Sequence, residues 1–257
     1  MEPSPTPWIE ALRASHDTLS KLVEPLVGDQ LQQPSYASDW SIAQVLSHLG
    51  SQAEIFSLFL DAGLNGEDPP RPDGFAPIWD AWNARSPQAQ ADDALRFNEA
   101  LVERFEALSP EQHERFRLQL FGMDLDTSGL ARLRLAEHAV HTWDVAVALD
   151  PAATIAQSAV SLLVDAIAQT AARTGKPDGK TRQVHIATSS PERHFNLEIA
   201  ESVTLAVGSP DGSPPALQLP AEAFIRLVYG RLDPAHTPPV AARGVELDEL
   251  RGVFPGF

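Results

Sequence analysis

Glu137 and His141 lie four residues apart in Leu130-Ala131-Arg132-Leu133-Arg134-Leu135-Ala136-Glu137-His138-Ala139-Val140-His141-Thr142-Trp143-Asp144, a run with helical periodicity. Four residues is about one helical turn, so a carboxylate and an imidazole share one face. A third group of the same kind, His48, sits far upstream in Trp40-Ser41-Ile42-Ala43-Gln44-Val45-Leu46-Ser47-His48-Leu49. Two histidines and one glutamate form the protein ligand set of an open catalytic zinc site, in which a fourth position is left for water or substrate. The pattern points to a metal-dependent enzyme. On a helical wheel Glu137 and His141 share the side that holds Leu130 and Ala148, which is the buried side. A carboxylate there needs a cation or strong hydrogen-bond donors, because burying it unpaired is costly.

The same residues also admit a plainer reading. Glu137 could pair with Arg134 one turn back and His141 with Asp144 one turn on, as ordinary helix-surface contacts. His48 lies at the edge of its apolar stripe, near Gln52 and Ile55, where a lone histidine is more often a satisfied interfacial residue than a ligand. Among the remaining histidines, His16 and His113 stand in polar surroundings and are expected to be exposed. His138 points about 100° away from Glu137 and belongs on the flank of the bundle. His185, His194 and His236 show no ligand spacing.

Several elements must position these groups. Trp8, Leu12, Leu19, Leu22 and Val23 recur at helical intervals and predict a first helix from Trp8 to about Val27, stopping near Gly28. Ser41 with Gln44 resembles a capping box, and the stripe Ile42, Val45, Leu46, Leu49, Ala53, Phe56 and Phe59 predicts a second helix to about Ala62 that carries His48. The Pro-, Gly- and acid-rich residues 65–73 read as a loop before the aromatic stretch of Phe75, Ile78, Trp79 and Trp82. Ser86-Pro87 opens a further helix with proline at its first position, and Ser109-Pro110 repeats the signal for a short turn. The ligand-bearing helix runs from about Thr127 to Leu149, Asp150-Pro151 breaks it, and another helix spans about Ile155–Arg173.

After the turn-rich Gly175–Lys180 the pattern switches to short β-like runs at Val184–Thr188, Phe195–Ile199 and Val203–Val207. A helix over Pro220–Tyr229 follows and ends at Gly230, with Arg231 behind it. The expected architecture is two domains, a helical bundle over residues 1–175 and a small α+β domain over residues 176–257.

Composition narrows the function. The net charge of −16 argues against binding a nucleic-acid backbone or an anionic membrane surface. No stretch approaches the roughly 18 apolar residues of a membrane span. The residues Met1 to Trp8 show neither a basic nor an apolar leader region, so the cytoplasm is the expected location. With no cysteine, there is no disulfide and no protein thiolate. Any thiol chemistry must use a borrowed thiol.

The run from Trp40 to Leu49, combined with Glu137-x-x-x-His141-Thr142-Trp143-Asp144, resembles the mycothiol-dependent maleylpyruvate isomerase family of the DinB-like superfamily. The resemblance covers both halves of the chain. It implies an all-α DinB-like four-helix bundle holding a divalent metal, usually zinc, through His48, Glu137 and His141, followed by a small α+β domain similar to sterol-carrier folds. The segment from Leu217 to Leu232, with Gly230-Arg231 after its helix, looks like that family's second domain.

The activity so implied uses mycothiol as thiol cosubstrate. A zinc-bound thiolate adds to an electrophilic, maleyl-type small molecule and is eliminated after cis–trans isomerisation. Arg231 is the candidate for holding substrate carboxylates and for binding the cosubstrate, with a purely structural contact to helix-end carbonyls as its alternative. A mycothiol S-transferase acting on another electrophile fits the same residues. So does a non-catalytic small-ligand carrier with Phe75, Trp79, Trp82 and Trp143 around its ligand. The partners expected are a small electrophile and a low-molecular-weight thiol, while oligomeric state is not set by the sequence.

Overall fold

The computed structural model describes residues 4–37, 39–208 and 214–256. The leader reading above rests partly on residues 1–3, which lie outside this range. The chain forms two compact units that divide between Ala153 and Thr154.

The first unit contains helices α1 (Thr6–Val23), α2 (Ile42–Asn65), α3 (Ala76–Asn83), α4 (Pro87–Glu106), α5 (Pro110–Arg115) and α6 (Thr127–Leu149), with a hairpin of β1 (Leu118–Leu120) and β2 (Met123–Leu125) before α6. The long helices α1, α2, α4 and α6 make a four-helix bundle: α1 packs on α4 and α6, and α2 packs on the same two. Local chemistry sets most helix ends. Ser41 Oγ accepts from the Gln44 amide while the Gln44 side chain accepts from the Ser41 amide at 2.8 Å, a complete capping box at the start of the His48 helix. Ser86 caps α4 through the Ala89 amide, and Asp126 starts α6 by accepting from the Gly129 amide at 2.7 Å.

α1 ends at Val23, four residues short of the expected Val27: Glu24 still donates its amide to the Ser20 carbonyl, but Pro25 offers no amide to continue the ladder. The hairpin was not anticipated. Its two-residue turn is Phe121-Gly122, both at positive φ (53° and 75°), and Phe in the first position hides the usual glycine or asparagine signal.

Next to His48, the α2 backbone is closely covered. Gly50 lies under the Trp82 ring, where an added Cβ would come within 2.1 Å of it. Trp82 Nε1 donates to Glu54 at 2.9 Å and Ser47 Oγ donates to Asn83 at 3.1 Å, so α3 is tied to the turns of α2 on either side of His48. Trp82 and Trp143 are core residues, at 0% and 1% exposure, rather than a ligand lining.

The second unit contains α7 (Gln157–Thr174), β3 (Arg182–Ser189), β4 (Arg193–Ile199), β5 (Val203–Val207), β6 (Leu217–Pro220), α8 (Ala221–Val228), β7 (Ala241–Ala242) and α9 (Leu247–Val253). Its sheet has the order β5-β4-β3-β6-β7, with β3 and β6 parallel and the other neighbours antiparallel. Register aligns Ile186 with Phe195 and Leu217, and Leu197 with Val184 and Leu205, so one apolar face is buried. Phe224 of the fully buried α8 lies 5.1 Å from the Phe195 ring.

The compact units divide after Ala153, whereas the sequence expectation placed the boundary after residue 175. α7 packs on α8 and β5 and therefore belongs to the second unit. Its helical pattern alone placed it with the bundle, since periodicity shows that a face is apolar but not what covers it. Among the described residues, no helix is long and apolar enough to cross a membrane.

Candidate metal centre

α6 turns Glu137 and His141 to one side, and α2 brings His48 against them. One ligand atom from each lies within 4.8 Å of the others. His48 Nε2 stands 3.5 Å and His141 Nε2 3.7 Å from Glu137 Oε2, and the two imidazoles meet edge to face at 4.6 Å between centroids. Bonds of about 2.0–2.1 Å in tetrahedral arrangement place neighbouring ligand atoms roughly 3.3–3.4 Å apart. The observed separations are close to that and long for direct hydrogen bonds. The three side chains therefore fit a divalent ion between them. Among the described residues, no other group of three or more His, Cys, Asp or Glu side chains converges in this way.

The centre is recessed but reachable. Side-chain exposure is 22% for His48, 11% for His141 and 35% for Glu137, which leaves room for a small molecule to approach. Burial pushes the Glu137 carboxyl up, but the hydrogen bond with His48 and the charges of His141, His48 and Arg134 reverse the sign and hold it below the usual carboxylate range. Burial lowers His48, and its Glu137 contact opposes this without overcoming it. An ionised carboxylate beside a neutral imidazole is the protonation pattern that metal binding requires.

Two further residues shape the site. Asp144, fully buried, stands 2.8 Å from His141 Nδ1, which fixes the tautomer that leaves Nε2 as a lone-pair donor. The plainer reading named this contact but took it for a surface pair. Trp40 lies 5.2 Å from the His48 ring and 6.2 Å from His141, nearly parallel to the latter at 25°. Its segment is anchored where the Tyr36 amide donates to the Asp144 carbonyl at 3.1 Å and the Ser35 amide to the Trp40 carbonyl at 2.9 Å. A tryptophan directly before the capping box was the sequence signal for this wall.

Arg134 does not pair with Glu137 as that reading supposed. Its Nη2 donates to the Leu49 carbonyl at 3.0 Å and to Asn98 Oδ1. His138 is not on the bundle flank: it is fully buried, with Nδ1 2.8 Å from Ser15 Oγ and 3.3 Å from Thr142 Oγ1. His16 is not exposed either, since α1 turns it inward to place Nε2 2.8 Å from Glu99. His113 is half-buried. His185 and His194 meet at 3.0 Å across β3 and β4 without forming a three-residue ligand group.

Arg231 lies in the second unit, half-buried behind Gly230, whose φ of 70° and close approach to Gly256 exclude a side chain. Its amide donates to the Arg226 carbonyl at 2.7 Å and its Nη1 to the Tyr229 carbonyl at 2.8 Å, so the helix-end contact expected of a structural arginine is present.

Residues 12–146, more than half of the chain, match the family described as the mycothiol maleylpyruvate isomerase N-terminal domain. Two crystal structures share the fold. A histidine-to-alanine variant of the mycothiol-dependent maleylpyruvate isomerase superposes with a TM-score of 0.69 at 14% identity, covering 95% of this chain and 96% of that one. The mycothiol-dependent maleylpyruvate isomerase itself gives 0.66 at 15% identity, covering 93% and 96%. No curated protein sequence matches the chain. Since the matched segment carries His48, Glu137 and His141 together with the helices that position them, the chain belongs to the mycothiol maleylpyruvate isomerase family.

Proposed function

We propose that this protein is a metal- and thiol-dependent isomerase that converts a maleyl-type small molecule from cis to trans, with zinc at His48, Glu137 and His141 and mycothiol as the thiol. One observation carries the reading: three ligand atoms of the right types converge within 4.8 Å of one another at a solvent-reachable point. Zinc held there supplies Lewis acidity, which lowers the pKa of a thiol from about 8.5 and makes thiolate available at neutral pH.

The protein's own groups then have defined tasks. His48 and His141 present Nε2 lone pairs, Asp144 keeps His141 in the required tautomer, and Trp40 shields the histidine pair from water on one side. Thiolate addition to one alkene carbon moves the π electrons onto the conjugated carbonyl oxygen. Rotation about the new single bond and collapse of that enolate expel the thiolate, so protons and electrons balance with no co-reactant. Arg231 enters as the group that holds substrate carboxylates by bidentate, charge-assisted hydrogen bonds. Arg231→Lys should lower turnover with metal content unchanged, and unchanged kinetics would remove it from the mechanism.

The test of the whole reading is elemental analysis of the purified protein followed by incubation with mycothiol and maleylpyruvate. A zinc-containing protein that yields the trans product and returns the thiol unchanged supports isomerisation. A stable thiol adduct would assign the chain to S-transfer instead, and absence of metal after zinc reconstitution would remove the enzymatic reading.

A further inference from the structure

Arg134 is fully buried, yet no carboxylate forms an ion pair with it among the described residues. Its Nε and Nη1 have no hydrogen-bond partner there, although a buried charge normally keeps its full set. Burial lowers its pKa to about 10, which leaves it cationic at neutral pH. It precedes Glu137 by three residues on α6, and its Nη2 is bonded to the carbonyl of Leu49, the residue after His48. Both helices that supply ligands thus meet at this one guanidinium, and Asn98 of α4 holds it from the third side.

The charges around the centre show what such a cation does. Without a metal, the guanidinium of Arg134 faces two carboxylates, Glu137 and the Asp144 that holds His141, so the region is one negative charge in excess. A divalent ion among His48, Glu137 and His141 leaves the region with excess positive charge, which one anion at the open position reduces. We propose that Arg134 is a positioning residue, a fixed buried positive charge that biases the open position of the metal centre toward an anionic ligand such as a thiolate. It acts through the centre and does not touch the ligand, and it rests on the metal reading given above.

The charge role has a signature that a packing role lacks. Loosening the bundle would weaken metal and anion binding together, whereas removing a cation strengthens or preserves binding of the divalent ion and weakens binding of the anion. The experiment loads the full-length protein with Co2+, records its visible spectrum, and titrates azide and, separately, neutral imidazole. Arg134→Met should bind Co2+ at least as tightly as the unmodified protein and bind azide about tenfold more weakly, with imidazole affinity unchanged. Arg134→Lys, which keeps the charge, should restore azide binding to within about threefold.

An unchanged azide affinity in Arg134→Met, or a joint loss of Co2+ and azide affinity, would overturn the proposal while leaving the metal site intact. If Arg134→Met does not fold, Arg134→Lys carries the test alone: retained azide binding supports the charge role and a tenfold loss rejects it. Failure of the unmodified protein to bind Co2+ would instead overturn the metal reading, and this inference with it.

Discussion

Two polar clusters on α6 are built from nearly the same side chains and reach opposite ends. Around Glu137, three side chains aim lone pairs at one point that solvent can reach. Around its neighbour His138, the side chains of Ser15 and Thr142 close onto the ring, and nothing of it is exposed. Residue type alone does not separate them, for each has two histidines and a nearby carboxylate: Glu137 in one, and in the other Glu99, which meets the His16 whose ring lies 6.1 Å from that of His138. What separates them is geometry. Side chains that close on one another away from solvent make a core cluster, even with His138 Nε2 left without a partner, whereas ligand atoms held at the long limit of hydrogen bonding and within reach of solvent have the spacing a metal ion needs.

The strongest way to break this contrast is the double variant His48→Ala, His141→Ala. It should lower bound zinc from near one ion per chain to below about a tenth, because one carboxylate cannot hold the ion alone. Retention of metal in that variant would place the ion elsewhere. Asp144→Ala leaves all three ligands in place but frees the His141 ring, so zinc affinity should fall by about 10- to 100-fold in a chelator competition. His138→Ala tests the other cluster. Metal content should be unchanged while urea unfolding shows a loss of about 2–4 kcal/mol, from the cavity and the stranded Ser15 hydroxyl. Loss of zinc from a folded His138→Ala protein would erase the distinction between the clusters.

The smallest effect concerns pH. Burial lowers the pKa of His16, with Glu99 and Asp17 opposing the shift and Arg13 adding to it. The unfolded chain therefore takes up this proton before the folded one. Stability contributed by neutral His16 is fully present above about pH 6.5 and is lost as pH falls below it, at up to about 1.4 kcal/mol per unit. His16→Gln, which keeps a donor for Glu99, should flatten that limb in unfolding curves taken between pH 7 and pH 5.

Much of the helical framework was legible. α6 spans Thr127–Leu149, as its periodicity and the following Asp150-Pro151 imply, and α2 starts at the capping box read from Ser41 and Gln44. Caps and breakers act over four residues, so the sequence displays them directly. The Phe121-Gly122 hairpin and β6 were missed for a related reason. Each strand is only three or four residues long, too short for alternation to stand out. At the site, Glu137 and His141 could be paired from spacing alone, whereas Asp144 and Arg134 were seen only as surface partners.

What the sequence determined by itself is therefore local: where helices begin and stop, that Glu137 and His141 share a face, and that no cysteine is available for thiol chemistry. Tertiary structure decided that His48 reaches that face, that His138 and His16 turn inward, that Arg134 bonds to α2 rather than to Glu137, and that α7 joins the second unit. The physical reason is range. Backbone hydrogen bonding and capping depend on neighbours a turn away, but burial and ligand convergence depend on which faces of distant helices meet, and an apolar stripe does not name its partner.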